Sequence, residues 1–102
     1  MKTAVITGAA QGLGLVTARL FGNAGYHVVL TDIQPLDSAL AELAADGLSI
    51  WGLSGDVASE EFVATVAARV AADHGGADVL INNAGISLIC ANPRKTPTGK
   101  AL

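Results

Sequence analysis

The chain has 102 residues, 51% of them hydrophobic and 15% charged, with a net charge of −3 and a single cysteine. That length holds one domain, which buries about 65% of the surface its unfolded chain exposes, and it leaves no room for two. The composition excludes a disordered chain, one cysteine excludes an internal disulfide scaffold, and the acidic balance lacks the basic footprint of a nucleic-acid binder.

Ala4-Val5-Ile6 is a short β-branched apolar run ending at Thr7-Gly8, and it reads as a strand buried on both faces. After Gly12 and Gly14, the apolar residues Leu15, Val16, Ala18, Leu20 and Phe21 recur at helical spacing up to Asn23-Ala24-Gly25. Gly25 suits the residue just past a helix end. His27 to Thr31 is a second strand closed by Asp32, and Pro35 blocks further pairing. Good helix formers fill Asp37 to Asp46, and Gly47 closes that helix in the same way. A third, weaker strand is expected over Leu48 to Leu53, with Ile50 as its clearest core residue. Ser59 is placed as an N-cap, with Glu60 and Glu61 where a helix dipole favours anions. Phe62, Val66 and Val70 then share one helical face, Gly75-Gly76 ends the helix, and Val79-Leu80-Ile81 is a fourth strand.

The order β-α-β-α-β-α-β, with every strand short and apolar, predicts a parallel sheet with right-handed crossovers and helices on both faces. A mean hydropathy of +0.49 raises the question of a membrane span. The longest charge-free stretch, Thr3 to Ala18, contains Gly8, Gln11, Gly12 and Gly14 and falls short of the ~18 apolar residues a span needs. Met1-Lys2 and the apolar run after it mimic a secretory signal only as far as Gly8, with no small-residue cleavage site beyond. A cytoplasmic chain without membrane contact is expected.

Gly8-Ala9-Ala10-Gln11-Gly12-Leu13-Gly14 lies between the first strand and the first helix. Glycines there allow a sharp turn and bring backbone N–H groups close to a ligand. The positive end of the next helix points to the same place, which suits a pyrophosphate. On the glycines alone, a tight turn without a ligand is the alternative. No Lys-Ser or Lys-Thr follows, so this is not a Walker loop, and the G-x-G-x-x-G spacing fails at Thr17. Asp32, at the end of the second strand, stands where an acid accepts hydrogen bonds from an adenosine ribose. A solvated acid at a strand end is the plainer reading. A ribose 2′-phosphate at ~4 Å from this carboxylate would cost roughly 1–4 kcal/mol per charge pair. Neither Ile33 nor Gln11 offers a cation, so NAD is favoured over NADP.

These features resemble the front part of the short-chain dehydrogenase/reductase family. Thr7-Gly8-Ala9-Ala10-Gln11-Gly12-Leu13-Gly14 is similar to its Thr-Gly-x-x-x-Gly-x-Gly loop, Asp56-Val57 to its adenine-contacting pair, and Asn82-Asn83-Ala84-Gly85 to its Asn-Asn-Ala-Gly motif. The resemblance implies an α/β fold: a Rossmann-like doubly wound parallel sheet, incomplete at four strands, in the order 3-2-1-4. It also implies an NAD-dependent oxidoreductase acting on an alcohol or carbonyl. By the same resemblance Gly8, Gln11, Gly12, Leu13 and Gly14 form the pyrophosphate loop, and Asp32 and Ile33 flank the adenosine ribose. Asp56 and Val57 meet the adenine, and Asn83, Ala84 and Gly85 line the cofactor cleft and tie the central strands together. No metal ligands are implied.

The family's catalytic Asn, Ser and Tyr-x-x-x-Lys lie beyond the fourth strand, and none is matched here. The lone tyrosine, Tyr26, precedes the second strand and is followed at the fourth position by Leu30, and Ser87 lies too close to the fourth strand. No catalytic residue is therefore assigned. Residues 1–86 read as the NAD-binding half-domain. Residues 87–102, with Arg94, Lys95, Lys100, Pro93 and Pro97, read as a loop or a divergent tail. His27, His74, Trp51 and Cys90 read as structural. Three functions stay open: the front part of a dehydrogenase, a non-catalytic dinucleotide-binding module, and a gene remnant. An uncovered edge on the fourth strand would make the isolated chain self-associate or aggregate.

Overall fold

Thr3–Thr7 forms the first strand, β1, and is buried along its whole length. A strand covered on both faces needs apolar residues at every position, and Ala4, Val5 and Ile6 supply them. The computed structural model describes residues 1–83. After β1 come α1 (Gly12–Asn23), β2 (His27–Asp32), α2 (Asp37–Ala45), β3 (Ile50–Ser54), α3 (Glu60–His74) and β4 (Val79–Ile81). The four strands make one parallel sheet in the order β3-β2-β1-β4, as the sequence predicts. Val5 is the register partner of Val29 on β2 and of Leu80 on β4.

The period of two along each strand divides the core. Ile6, Val28 and Leu30 face α1 and α2, where they meet Ala18, Leu36, Ala39 and Leu43. Val5 and Val29 face α3 and meet Val66 and Val70, with Trp51, Leu53 and Phe62 packed around them. Each fully buried aliphatic side chain contributes about 1.5–3 kcal/mol. The chain runs outward from β1 to β3 and then returns to the other side of β1 for β4. That reversal puts α3 on the face opposite α1 and α2, and it opens a crevice at the carboxyl ends of β1 and β4.

Glycine ends two of the helices by one device. Gly25 (φ +93°) and Gly47 (φ +76°) turn left-handed, and the following amides, of Tyr26 and Leu48, reach back to the carbonyls of Phe21 and Leu43. This closure corrects the expected start of the third strand. Leu48 is spent in closing α2, and its side chain packs where a Cβ on Gly22 would fall, so the first bond to β2 is accepted by the Ser49 carbonyl and the strand itself starts at Ile50. Ser59 caps α3 through the Phe62 amide at 3.3 Å, as expected. Arg19 joins α1 to the end of α2 by pairing with Glu42 and Asp46, and Asp46 above all raises the guanidinium pKa beyond its ordinary value. Arg69 lies 4.6 Å above the Trp51 ring on the α3 face. No helix among the described residues is long and apolar enough to cross a membrane.

Candidate functional site

The carboxyl-end rim of the sheet collects most of the residues singled out from the sequence. Gly8 leaves β1 at φ +64° and Gly12 enters α1 at φ +61°, a conformation that costs a residue with a Cβ roughly 1–2 kcal/mol. Gly14 is required for a different reason: a Cβ there would lie 1.9 Å from the Gly8 carbonyl oxygen and 2.9 Å from Nδ2 of Asn83. The loop thus curls back over its own helix start and touches the end of β4. Above Gly12, a Cβ would meet no described atom within 4 Å.

Among the described residues no side chain caps α1, and its first turn carries no acid. Gln11, at the N-cap, is extended and exposed, and Leu13 is exposed. The leading amides of α1 and its dipole therefore face an open rim, a disposition suited to an anion. The start of α3 is the reverse case, since Ser59, Glu60 and Glu61 already satisfy it.

Hydrogen bonds stitch the rim together. Ala9 donates to the Thr31 carbonyl at 3.1 Å, and Gly55 donates to the Asp32 carbonyl at 2.8 Å. The Asp32 carboxylate accepts the Ala10 amide on Oδ2 at 2.8 Å and the Gln34 amide on Oδ1 at 2.9 Å. On the other side, the Thr7 hydroxyl donates to Asn82 Oδ1 at 2.9 Å and accepts the Asn83 amide at 2.8 Å. Thr7 is a link that reading the glycines alone misses. Its signal in the sequence is a hydroxyl residue at the last position of a buried apolar strand, where only a local partner can satisfy it.

The other predicted residues divide. Ile33 is 69% exposed beside Asp32. Asp56 follows β3 on the same rim, but its Oδ1 accepts the Ala58 amide at 2.8 Å, so the side chain shapes its own turn. Val57 is half-buried in that turn. Ala84 and Gly85, the boundary expected at residue 86, and Cys90 lie outside the described residues. Tyr26 stacks edge-on against Phe21 with 4.9 Å between ring centroids, just before β2 and so at the opposite end of the sheet. His27 is also at that end, with Nδ1 2.7 Å from the Ser49 hydroxyl. No group of three or more His, Cys, Asp and Glu among the described residues could hold a metal ion.

Residues 2–99 match the family described as short chain dehydrogenase. The 2-dehydro-3-deoxy-D-gluconate 5-dehydrogenase of Formosa agariphila is 38% identical over 88 residues, which cover 83% of this chain and 33% of that protein. Momilactone A synthase of Oryza sativa subsp. japonica is 46% identical over 88 residues, 84% of this chain and 31% of its own length. The L-sorbose reductase of Gluconobacter frateurii, solved with NADPH and L-sorbose, superposes with a TM-score of 0.77 at 41% identity, over 83% of this chain and 34% of that one. The chain thus spans about a third of the length of these relatives. A parallel sheet reversed at β1, a glycine loop curled onto α1 and these matches have one reading: the chain belongs to the short-chain dehydrogenase/reductase family of oxidoreductases.

Proposed function

We propose that the chain is the NAD-binding part of an oxidoreductase that moves a hydride between NAD and an alcohol or carbonyl. The observation that carries this reading is the uncapped start of α1 under a loop that only glycine can form at Gly14. The amides of Gly12, Leu13 and Gly14 would hold the diphosphate, and Gln11 and Gly8 would shape its edge. Asp32 would receive the adenosine ribose, since each of its oxygens takes one amide and keeps a second lone pair. Ile33 would border that sugar, and the turn at Asp56 and Val57 would lie against the adenine. Asn83, with Ala84 and Gly85 after it, would form the wall of the crevice beside β4. Bound there, the nicotinamide supplies hydride transfer. The residues of this chain bind and orient it, and none of those described is assigned the proton step.

The preference for NAD follows from charge. The L-sorbose reductase neighbour carries NADPH, so family membership alone does not select the cofactor. Among the described residues the lysines and arginines are Lys2, Arg19 and Arg69. Lys2 precedes the far end of β1, Arg19 is paired with Glu42 and Asp46, and Arg69 covers Trp51. None lies beside Asp32 to offset a 2′-phosphate.

Titration of the ¹⁵N-labelled chain with NAD tests this reading. Shifts are expected at the amides of Gly12, Leu13, Gly14 and Ile33. A spectrum unchanged at these positions in millimolar NAD would refute it.

A further inference from the structure

Asp32 does more in this fold than wait at a strand end. Its Oδ2 lies 2.8 Å from the amide nitrogen of Ala10, in the middle of the glycine loop, and its Oδ1 lies 2.9 Å from that of Gln34. Ala9, one residue earlier, is fully buried and bonded to the Thr31 carbonyl. Within the loop, this carboxylate is the side-chain acceptor of the Ala10 amide. Ala10 also packs against the core, but Gln11 is exposed and a Cβ on Gly12 would meet open space, so the outer part of the loop depends on its polar tether. Two glycines with positive φ make that segment entropically costly to order.

We infer that Asp32 is a positioning residue for the glycine loop: its carboxylate anchors the Ala10 amide and thereby holds residues 8–14 in the shape that receives a diphosphate. The second half of this inference rests on the dinucleotide reading above, and the first half does not. Sugar recognition and phosphate binding are then coupled through one side chain. A ligand that draws Asp32 toward its ribose also acts on the loop that grips its phosphates.

The sign of the effect separates this role from simple proximity. If Asp32 were only a negative charge near an anion site, its removal would tighten the binding of inorganic pyrophosphate, which has no ribose to lose. If it anchors the loop, Asp32→Ala weakens pyrophosphate binding although a repelling charge has gone. Asn retains one oxygen acceptor without the charge, so it serves Ala10 at the expense of the bond from Gln34.

The experiment measures Ala10 amide hydrogen exchange by NMR, and pyrophosphate binding from the Gly12–Gly14 amide shifts, in the full 102-residue chain. In Asp32→Ala, Ala10 is expected to exchange on the order of tenfold faster, and pyrophosphate to bind several-fold more weakly. Asp32→Asn is expected to keep Ala10 exchange closer to the parent value than Asp32→Ala does and, with the charge gone, to bind pyrophosphate at least as tightly as the parent. Unchanged Ala10 exchange in Asp32→Ala, or tighter pyrophosphate binding, would overturn the inference. Should Asp32→Ala not fold, Asp32→Glu carries the test, because it keeps the charge but moves the oxygens off Ala10. Faster exchange and weaker binding are expected there, and parent-like values for both would overturn it. If the parent chain binds no NAD and Ala10 exchange still accelerates in Asp32→Ala, the anchor stands and the cofactor reading fails.

Discussion

The hydroxyl of Thr7, at the end of β1, accepts the backbone amide of Asn83, just past β4, at 2.8 Å. The same hydroxyl donates to Asn82 Oδ1, and Thr7 is 3% exposed, so one oxygen satisfies two groups at the mouth of the crevice. Thr7→Val keeps the shape and removes both bonds. An unsatisfied buried donor costs about 1–3 kcal/mol, and the variant is expected to lose that much in urea unfolding. Thr7→Ser keeps the oxygen and loses one methyl, so it is expected to stay within about 1 kcal/mol of the parent. Equal losses for both variants would show that the hydroxyl does not matter.

Gly12 and Gly14 predict two different failures. Gly12→Ala meets open space and carries only left-handed strain of roughly 1–2 kcal/mol. Gly14→Ala drives a methyl into the Gly8 carbonyl, a backbone atom that cannot give way without moving the loop. It is expected to lose more stability than Gly12→Ala and to weaken NAD binding by more than about tenfold, the equivalent of ~1.4 kcal/mol. Thermal melts and calorimetric titration of the two variants check the ranking.

What the sequence made legible follows from how local the physics is. The helix ends at Gly25, Gly47 and Gly75 depend on one residue's freedom at positive φ, and they fall where the glycines do. Parallel pairing was legible because buried apolar strands alternate with helices, whereas the order 3-2-1-4 was implied by the family resemblance. The start of β3 was not legible, because the role of Leu48 in closing α2 depends on a carbonyl five residues back and on the space above Gly22. The contact from Asp32 to Ala10 was equally hidden: the residues are 22 apart, and only the register of β1 on β2 brings them together.

Among the described residues β4 pairs with β1 alone, and its middle residue, Leu80, is partly exposed over an apolar groove bordered by Val5, Val66 and Val70. A short apolar strand with one unpaired side is a template for association. The isolated chain is expected to self-associate as its concentration rises, measured by light scattering. Leu80→Lys places a charge on that surface and is expected to shift the distribution toward monomer. A parent chain that stays monomeric at millimolar concentration would refute this.

Cofactor preference is the prediction that depends most on one side chain. A 2′-phosphate about 4 Å from Asp32 costs roughly 1–4 kcal/mol per charge pair, so calorimetry is expected to find NADP binding at least ~5-fold more weakly than NAD. The double variant Asp32→Ala/Ile33→Arg removes the repulsion and supplies a cation at a position 69% exposed. It is expected to raise the NADP-to-NAD affinity ratio by at least about tenfold. Because the Ala10 anchor is lost as well, the variant is expected to bind both cofactors less tightly than the parent binds NAD. In Asp32→Asn/Ile33→Arg one oxygen remains to accept the Ala10 amide, at the expense of the bond from Gln34, so the ratio should move the same way with a smaller loss of absolute affinity. If the parent bound both cofactors equally well, the repulsion assigned to Asp32 would be wrong. If the two double variants bound with equal strength, the anchoring role would fall while the charge argument survived.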